Sequence, residues 1–193
     1  MYVAIEGIDC MGKSTQIRLL KETFKNAIFT QEPGATELGK HLRKLLLHKS
    51  YAFGKKTELL LFLADRSEHY EKILSKNKNK LIISDRSLIS GLAYAKGFDK
   101  NFLFELNAFV LNHFFPEKII FLEGSRELIE KRLSKKRLDS IEKRGIEYFI
   151  EIQKELKQSL IFIEKKIKTK ILNLNAADTK ENLHKQIKDF IDD

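Results

Sequence analysis

Near the start of the chain, Gly7-Ile8-Asp9-Cys10-Met11-Gly12-Lys13-Ser14 has the spacing of a phosphate-binding loop, G-x-x-x-x-G-K-[ST]. The residue types suggest what the loop does. Gly7 and Gly12 let successive backbone N–H groups turn inward around an anion, and a following helix N-terminus adds partial positive charge. Lys13 reaches the β- and γ-phosphates of a nucleotide, Ser14 can ligate Mg²⁺, and Thr15 opens the helix behind them. A second pair, Asp85-Arg86, follows the apolar run Leu81-Ile82-Ile83-Ser84. An acid at a strand terminus is the usual place for a carboxylate that holds Mg²⁺ through water. Arg86 adds an always-charged bidentate donor at the same edge. Alone, such a pair is as well explained by a surface ion pair; after a buried strand in a chain with a phosphate loop, it belongs with the site.

These residues need elements to hold them. Short β-rich apolar runs cover 2–6, 27–30, 81–84, 118–122 and 169–174. Segments of helical period lie between and after them, at 13–25, 36–48, 55–77, 87–96, 100–114, 125–136, 141–167 and 179–191. Strands alternating with helices predict an α/β fold, a parallel five-stranded sheet with helices on both faces. Ligands of such sheets bind beyond the carboxyl ends of the strands. The first strand runs into the phosphate loop, the second ends at Thr30-Gln31-Glu32-Pro33-Gly34, and the third ends at Asp85-Arg86.

Composition sets limits. The 193 residues suit one domain, 1–193, with a full core, and there is no linker, repeat or low-complexity tract. No apolar run approaches the ~20 residues of a membrane span. The N-terminus lacks the pattern of a signal peptide. The lone cysteine, Cys10, excludes an internal disulfide and suits a reducing cytoplasm. The five histidines show no metal-ligand spacing. A net charge of +9 raises the possibility of nucleic acid, yet no aromatic-plus-basic stripe of the kind that stacks bases is present. Neither nucleic acid nor membrane is therefore expected as a partner. Asn77-Lys78-Asn79-Lys80 lacks the final Asp of a guanine-recognition motif, and no D-E-x-x follows a strand. A small kinase acting on a small acceptor is what remains.

Several separated motifs, in order, resemble the thymidylate kinase family, whose members phosphorylate dTMP to dTDP with ATP. They are Glu6-Gly7-Ile8-Asp9 leading into Gly12-Lys13-Ser14-Thr15-Gln16, then Gln31-Glu32-Pro33-Gly34-Ala35-Thr36, Leu61-Phe62-Leu63-Ala64-Asp65-Arg66, Asp85-Arg86-Ser87, Ser90-Gly91-Leu92-Ala93-Tyr94 and Arg137-Leu138-Asp139. The resemblance implies a P-loop kinase fold with a short lid at about 134–146, ATP and Mg²⁺ as cofactors, and a homodimer. It further implies roles. Phe62 and Arg66 share a helix face at i, i+4; Phe62 would stack on thymine and Arg66 would donate to its carbonyl. Asp9 would accept from the 3′-hydroxyl, Tyr94 would pack beside C2′, and Ser90 would lie near the base. Arg43 and Arg86 would hold the acceptor phosphate, and Pro33, after a cis peptide, would shape the sugar floor. Arg132 would lie over adenine, with Ala176 in the opposite wall.

Departures from the family pattern also matter. Gln31, Ala35, Gly91 and Ala95 replace residues common in relatives, so base recognition is expected to lean more on Arg66. Cys10 and Met11 leave the loop with no cation besides Lys13, so the lid must supply one from Lys135, Lys136 and Arg137; Arg137 is the expected choice. Catalysis would be in-line positioning and charge stabilisation by Lys13, Arg86 and Arg137. The nearest rival is a deoxynucleoside kinase, which would need Glu32 as a base. The segment 100–115 is unusually aromatic and fits either core or a dimer face.

Overall fold

The computed structural model describes residues 1–47, 53–134 and 145–193. Five strands, β1 (Tyr2–Glu6), β2 (Ile28–Gln31), β3 (Ile82–Asp85), β4 (Lys118–Glu123) and β5 (Lys170–Asn175), form one parallel sheet in the order β2-β3-β1-β4-β5. The central strands bury every successive residue, as in Val3-Ala4-Ile5 and Ile119-Ile120-Phe121-Leu122. Such runs are what a strand covered on both faces requires, in place of the alternation of a half-exposed strand. The edge strands β2 and β5 are only partly buried. From β1 the chain goes one way, to β2 and β3, and then the other way, to β4 and β5. The order therefore reverses at β1, the strand that carries the phosphate loop, and a crevice opens there.

Eight α-helices surround the sheet among the described residues: α1 (Lys13–Thr23), α2 (Glu37–Leu47), α3 (Lys55–His69), α4 (Leu88–Tyr94), α5 (Lys100–Val110), α6 (Arg126–Leu133), α7 (Ile146–Glu164) and α8 (Lys180–Asp192). Helix α1 packs on α8, α2 on α3, and α4 on both α5 and α7. Side-chain caps start α4, α5, α6 and α8. Asp99 accepts from the Phe102 N–H, Ser125 from Leu128 and Thr179 from Asn182. Helix α1 differs. Its N-cap is Gly12 with a left-handed backbone (φ 95°) and no side-chain cap. Its first N–H groups are left for an anion.

Several boundaries depart from the sequence expectation. The segment predicted as one helix over 55–77 is α-helical only to His69; Tyr70–Leu74 widens into a π turn and Ser75–Asn77 tightens into a 3₁₀ turn. Periodicity cannot separate these, because all three keep a helical side-chain pattern. The helix predicted to 114 stops at Val110, where Asn112 and His113 turn with positive φ. The one predicted over 87–96 ends at Tyr94. The aromatic segment is divided: Phe104 is buried, Phe114 and Phe115 pack on the core, and Phe102 and Phe109 stand exposed on α5. No helix among the described residues is long and apolar enough to cross a membrane.

Candidate active site

The phosphate loop joins β1 to α1 under tight steric limits. At Gly7 (φ 143°) a Cβ would come within 2.5 Å of the Leu122 carbonyl oxygen on β4, so only glycine lets the loop leave the sheet there. Lys13 begins α1 and is 6% exposed. Its Nζ donates to the Ile8 carbonyl at 3.0 Å and lies 3.7 Å from Asp9 Oδ1. Burial lowers the Lys13 pKa, and Arg86 lowers it further against the pull of Asp9. Strand pairing aligns Ile5 with Asp85, which brings the end of β3 beside the loop. Asp85 Oδ1 is buried without a partner among the described residues, and Asp85 shares a cavity wall with Ser14. An unpaired acceptor beside a hydroxyl suits a water-bound Mg²⁺.

Arg86 sits where β3 ends, with a left-handed backbone (φ 76°). One Nη donates to Asp9 Oδ1 at 2.6 Å, and the other to the Gly7 carbonyl and Ser90 Oγ, each at 3.1 Å. Asp9 thus faces two cations, Arg86 and Lys13. The Tyr94 ring lies 5.4 Å from the Arg86 guanidinium, and its hydroxyl is buried with no partner among the described residues. Burial raises the pKa of that phenol. Ser90, expected near the base, spends its hydroxyl proton on Glu6 Oε2 at 2.6 Å and accepts from Arg86. Glu6 has no role among those expected from the sequence. It is fully buried at the end of β1 and accepts from Ser87 N and Oγ, both at 2.7 Å, as well as from Ser90. Burial raises its pKa, while the serine hydrogen bonds and Arg86 hold it down. The signal was present in the sequence, as an acid inside a strand that is otherwise apolar.

Helix α3 sends Phe62, Asp65, Arg66 and His69 towards the loop after β2. Phe62 and Arg66 both line the cavity. The Glu32–Pro33 peptide is cis. Asp65 accepts from the Gly34 N–H at 2.9 Å, and Arg43 donates to the Pro33 carbonyl at 2.7 Å. Arg66 is 4% exposed. Its guanidinium reaches Glu32 Oε2 through Nε (2.7 Å) and Nη2 (2.6 Å), Asn107 Oδ1 through Nη1 (2.6 Å) and the Ser87 carbonyl through Nη2 (3.0 Å). His69 Nδ1 meets the other Glu32 oxygen at 2.8 Å. Burial opposes ionisation of Glu32, yet Arg66 and His69 overcome it and hold its pKa at about 2. Both oxygens of Glu32 are engaged, so it is poorly placed to act as the base a deoxynucleoside kinase would need. His69 and Asn107 carried no sequence signal, because an isolated His or Asn on a helix has many bland explanations.

These groups line one continuous cavity of about 640 Å³. The loop residues Asp9, Gly12, Lys13, Ser14 and Thr15 form one end, with Asp85 and Arg86; Pro33, Arg43, Phe62, Arg66, Ser90 and Tyr94 are among those that line the rest. Arg132 and Ala176 lie outside that lining and meet beside the loop. Arg132 donates to the Cys10 carbonyl at 3.0 Å and to the Ala176 carbonyl at 2.6 Å, which ties α6 to the phosphate loop and to the turn after β5. Arg137 and its neighbours Lys135 and Lys136 lie outside the described residues.

A phosphate loop and an acceptor pocket sharing one crevice agree with what the chain is similar to. The thymidylate kinase family model matches residues 5–187. The thymidylate kinase of Campylobacter jejuni strain RM1221 is 63% identical over 191 residues, covering 99% of this chain and all of that one. That of Campylobacter lari is 62% identical over 194 residues, with both chains fully covered. That of Wolinella succinogenes is 50% identical over 187 residues, covering 97% of this chain and 96% of that one. The crystal structure of thymidylate kinase from Ehrlichia chaffeensis superposes with a TM-score of 0.76 at 25% identity, covering all of this chain and 98% of that one. With the match running from the end of β1 through β5 and into α8, the chain belongs to the thymidylate kinase family.

Proposed function

We propose that the protein transfers the γ-phosphoryl group of ATP directly to the phosphate of dTMP, forming dTDP and ADP. The observation that carries this reading is the single cavity in which the phosphate loop and a pocket walled by Phe62, Arg66 and Tyr94 share Arg86. The uncapped N-terminus of α1 and Lys13 receive the β- and γ-phosphates. Ser14, and Asp85 through water, would hold Mg²⁺, whose charge supports the phosphate oxygens when it is bound. Arg86 and Arg43 take the acceptor phosphate. A dianion competes with Asp9 for Arg86, which frees the Asp9 carboxylate to accept from the 3′-hydroxyl. Tyr94 packs beside C2′. Phe62 faces the thymine ring, and Arg66 donates to a base carbonyl the one N–H left without a partner among the described residues. Arg132 and Ala176, joined by a hydrogen bond and so not the opposite walls expected, together border adenine.

No base is required, because a phosphate monoester is largely dianionic at neutral pH. The transition state is loose, with charge on the equatorial oxygens, so positioning and surrounding cations lower the barrier. Arg137, on the sequence resemblance alone, is the lid cation. The exposed Phe102 and Phe109 on α5 suit the homodimer expected of the family, and the cytoplasm is the expected compartment. The test is ATP consumption with each nucleoside monophosphate and, separately, with thymidine. A preference for dTMP over dCMP approaching 10⁴-fold is expected, since a buried donor facing the cytosine amino group is left unpaired. Turnover of thymidine without turnover of dTMP refutes the reading.

A further inference from the structure

We infer that Glu32, tied back by His69, is a positioning residue for base selection: both its oxygens are spent on protein donors, and through them it fixes the guanidinium on which discrimination of thymine rests. This builds on the acceptor-site reading above.

Glu32 is 5% exposed, and each of its oxygens has a buried donor. A carboxylate only accepts, so His69 Nδ1 carries the proton. With Nδ1 turned to Glu32, Nε2 pairs with the Thr30 hydroxyl, 2.7 Å away. Thr30, His69, Glu32 and Arg66 therefore form an unbroken polar chain from β2 to the cavity wall. Arg66 has five N–H donors. Glu32 takes two, and Asn107 and Ser87 take one each. The fifth is on Nη1, the nitrogen packed against Gly91. A Cβ at Gly91 would collide with it, so this wall can bear no side chain there. Ala95, also in the cavity lining, brings no polar side-chain atom. Among the described residues this N–H is the one donor of Arg66 left for a base, and its direction is set by the plane of the guanidinium. Two bonds to the same carboxylate hold that plane, and His69 holds the carboxylate. A neutral amide at position 32 has one acceptor oxygen and one NH₂ group between two donors. Either its NH₂ faces Arg66, donor against donor, or it faces Nδ1 and His69 must switch tautomer; in both cases the charge-assisted bonds that hold the guanidinium are lost and its plane loosens.

The experiment compares Glu32→Gln, His69→Leu and His69→Asn with wild type. Each is characterised by kcat and KM for dTMP and dCMP, by KM for ATP, and by thermal unfolding. In Glu32→Gln the dTMP KM is expected to rise about tenfold or more and the dTMP/dCMP ratio of kcat/KM to fall at least tenfold. Its kcat should stay within about threefold and its ATP KM should not change. His69→Leu should shift the same two quantities by less. His69→Asn keeps a donor near Nδ1 and should stay close to wild type, which a general loss of packing would not produce. Unchanged dTMP KM and unchanged ratio in folded Glu32→Gln overturn the inference. If that variant does not fold, an unchanged ratio in His69→Leu overturns it. Arg66→Met separates the two levels. A collapsed ratio there, with Glu32→Gln like wild type, defeats only the positioning role. An unchanged ratio in Arg66→Met defeats the base reading itself.

Discussion

Replacing Lys13 with Met should separate catalysis from stability. In the folded protein the ammonium is nearly buried, donates to the Ile8 carbonyl and lies near Asp9. Its pKa is lowered because burial and the like charge of Arg86 together outweigh the attraction of Asp9, Asp85 and Glu6. At neutral pH the charge is therefore a net cost to folding, and Met, of similar length, removes that cost. Against this, the Ile8 carbonyl loses its donor, worth about 1–3 kcal/mol if it stays buried. The two effects oppose each other, so stability should stay within about 1 kcal/mol of wild type, or a Tm within about 2–4 °C for a chain of this size. Catalysis has no such compensation. Loss of a cation on the moving phosphoryl group should lower kcat about 10³-fold, about 4 kcal/mol in the barrier. Steady-state turnover at saturating ATP, Mg²⁺ and dTMP, together with thermal unfolding of the ligand-free protein, checks both numbers. The wild type should also gain stability relative to the variant as pH rises from the lowered folded-state pKa towards the ordinary value of 10.5, since there the unfolded chain binds more protons. A kcat within tenfold of wild type, or a Tm loss well beyond 4 °C, refutes the reasoning.

Phe62→Ala should weaken dTMP binding by about 1–3 kcal/mol in a calorimetric titration, as for loss of one base-stacking ring. Arg137→Ala should lower kcat by 10²-fold or more while the KM for dTMP hardly changes, because the interaction is made mainly in the transition state. Should Lys135→Ala or Lys136→Ala show that loss instead, the lid assignment shifts in register. Glu32 has its pKa depressed to about 2, so its stabilisation is complete above the ordinary value near 4.5 and is lost as pH falls from there towards 2. The stability gap between wild type and Glu32→Gln, measured by urea unfolding, should therefore shrink over that acidic range.

Local chemistry made much of this protein legible in its sequence. The loop needs glycines at 7 and 12 and a Lys-Ser pair before a helix, and these are contiguous, so spacing alone reveals them. The buried parallel strands announce themselves as unbroken apolar runs in β1, β3 and β4, and their ends mark the crevice. The polar chain through Thr30, His69, Glu32, Arg66 and Asn107 was hidden, because its members are spread over 78 positions (30 to 107) and meet only when α3 and α5 close on the loop after β2. The sequence marks Glu6 as an acid in an apolar strand and Ser90 as a site residue, but that the two bond to each other follows only from the fold. A side chain that bonds across the fold has its role set by partners distant in sequence, and neither type nor period encodes which partner it meets. Arg66 shows the division most clearly: its place on a helix face with Phe62 follows from i, i+4 spacing, but how many of its donors remain for a ligand is decided by burial and by the partners that tertiary packing brings to it.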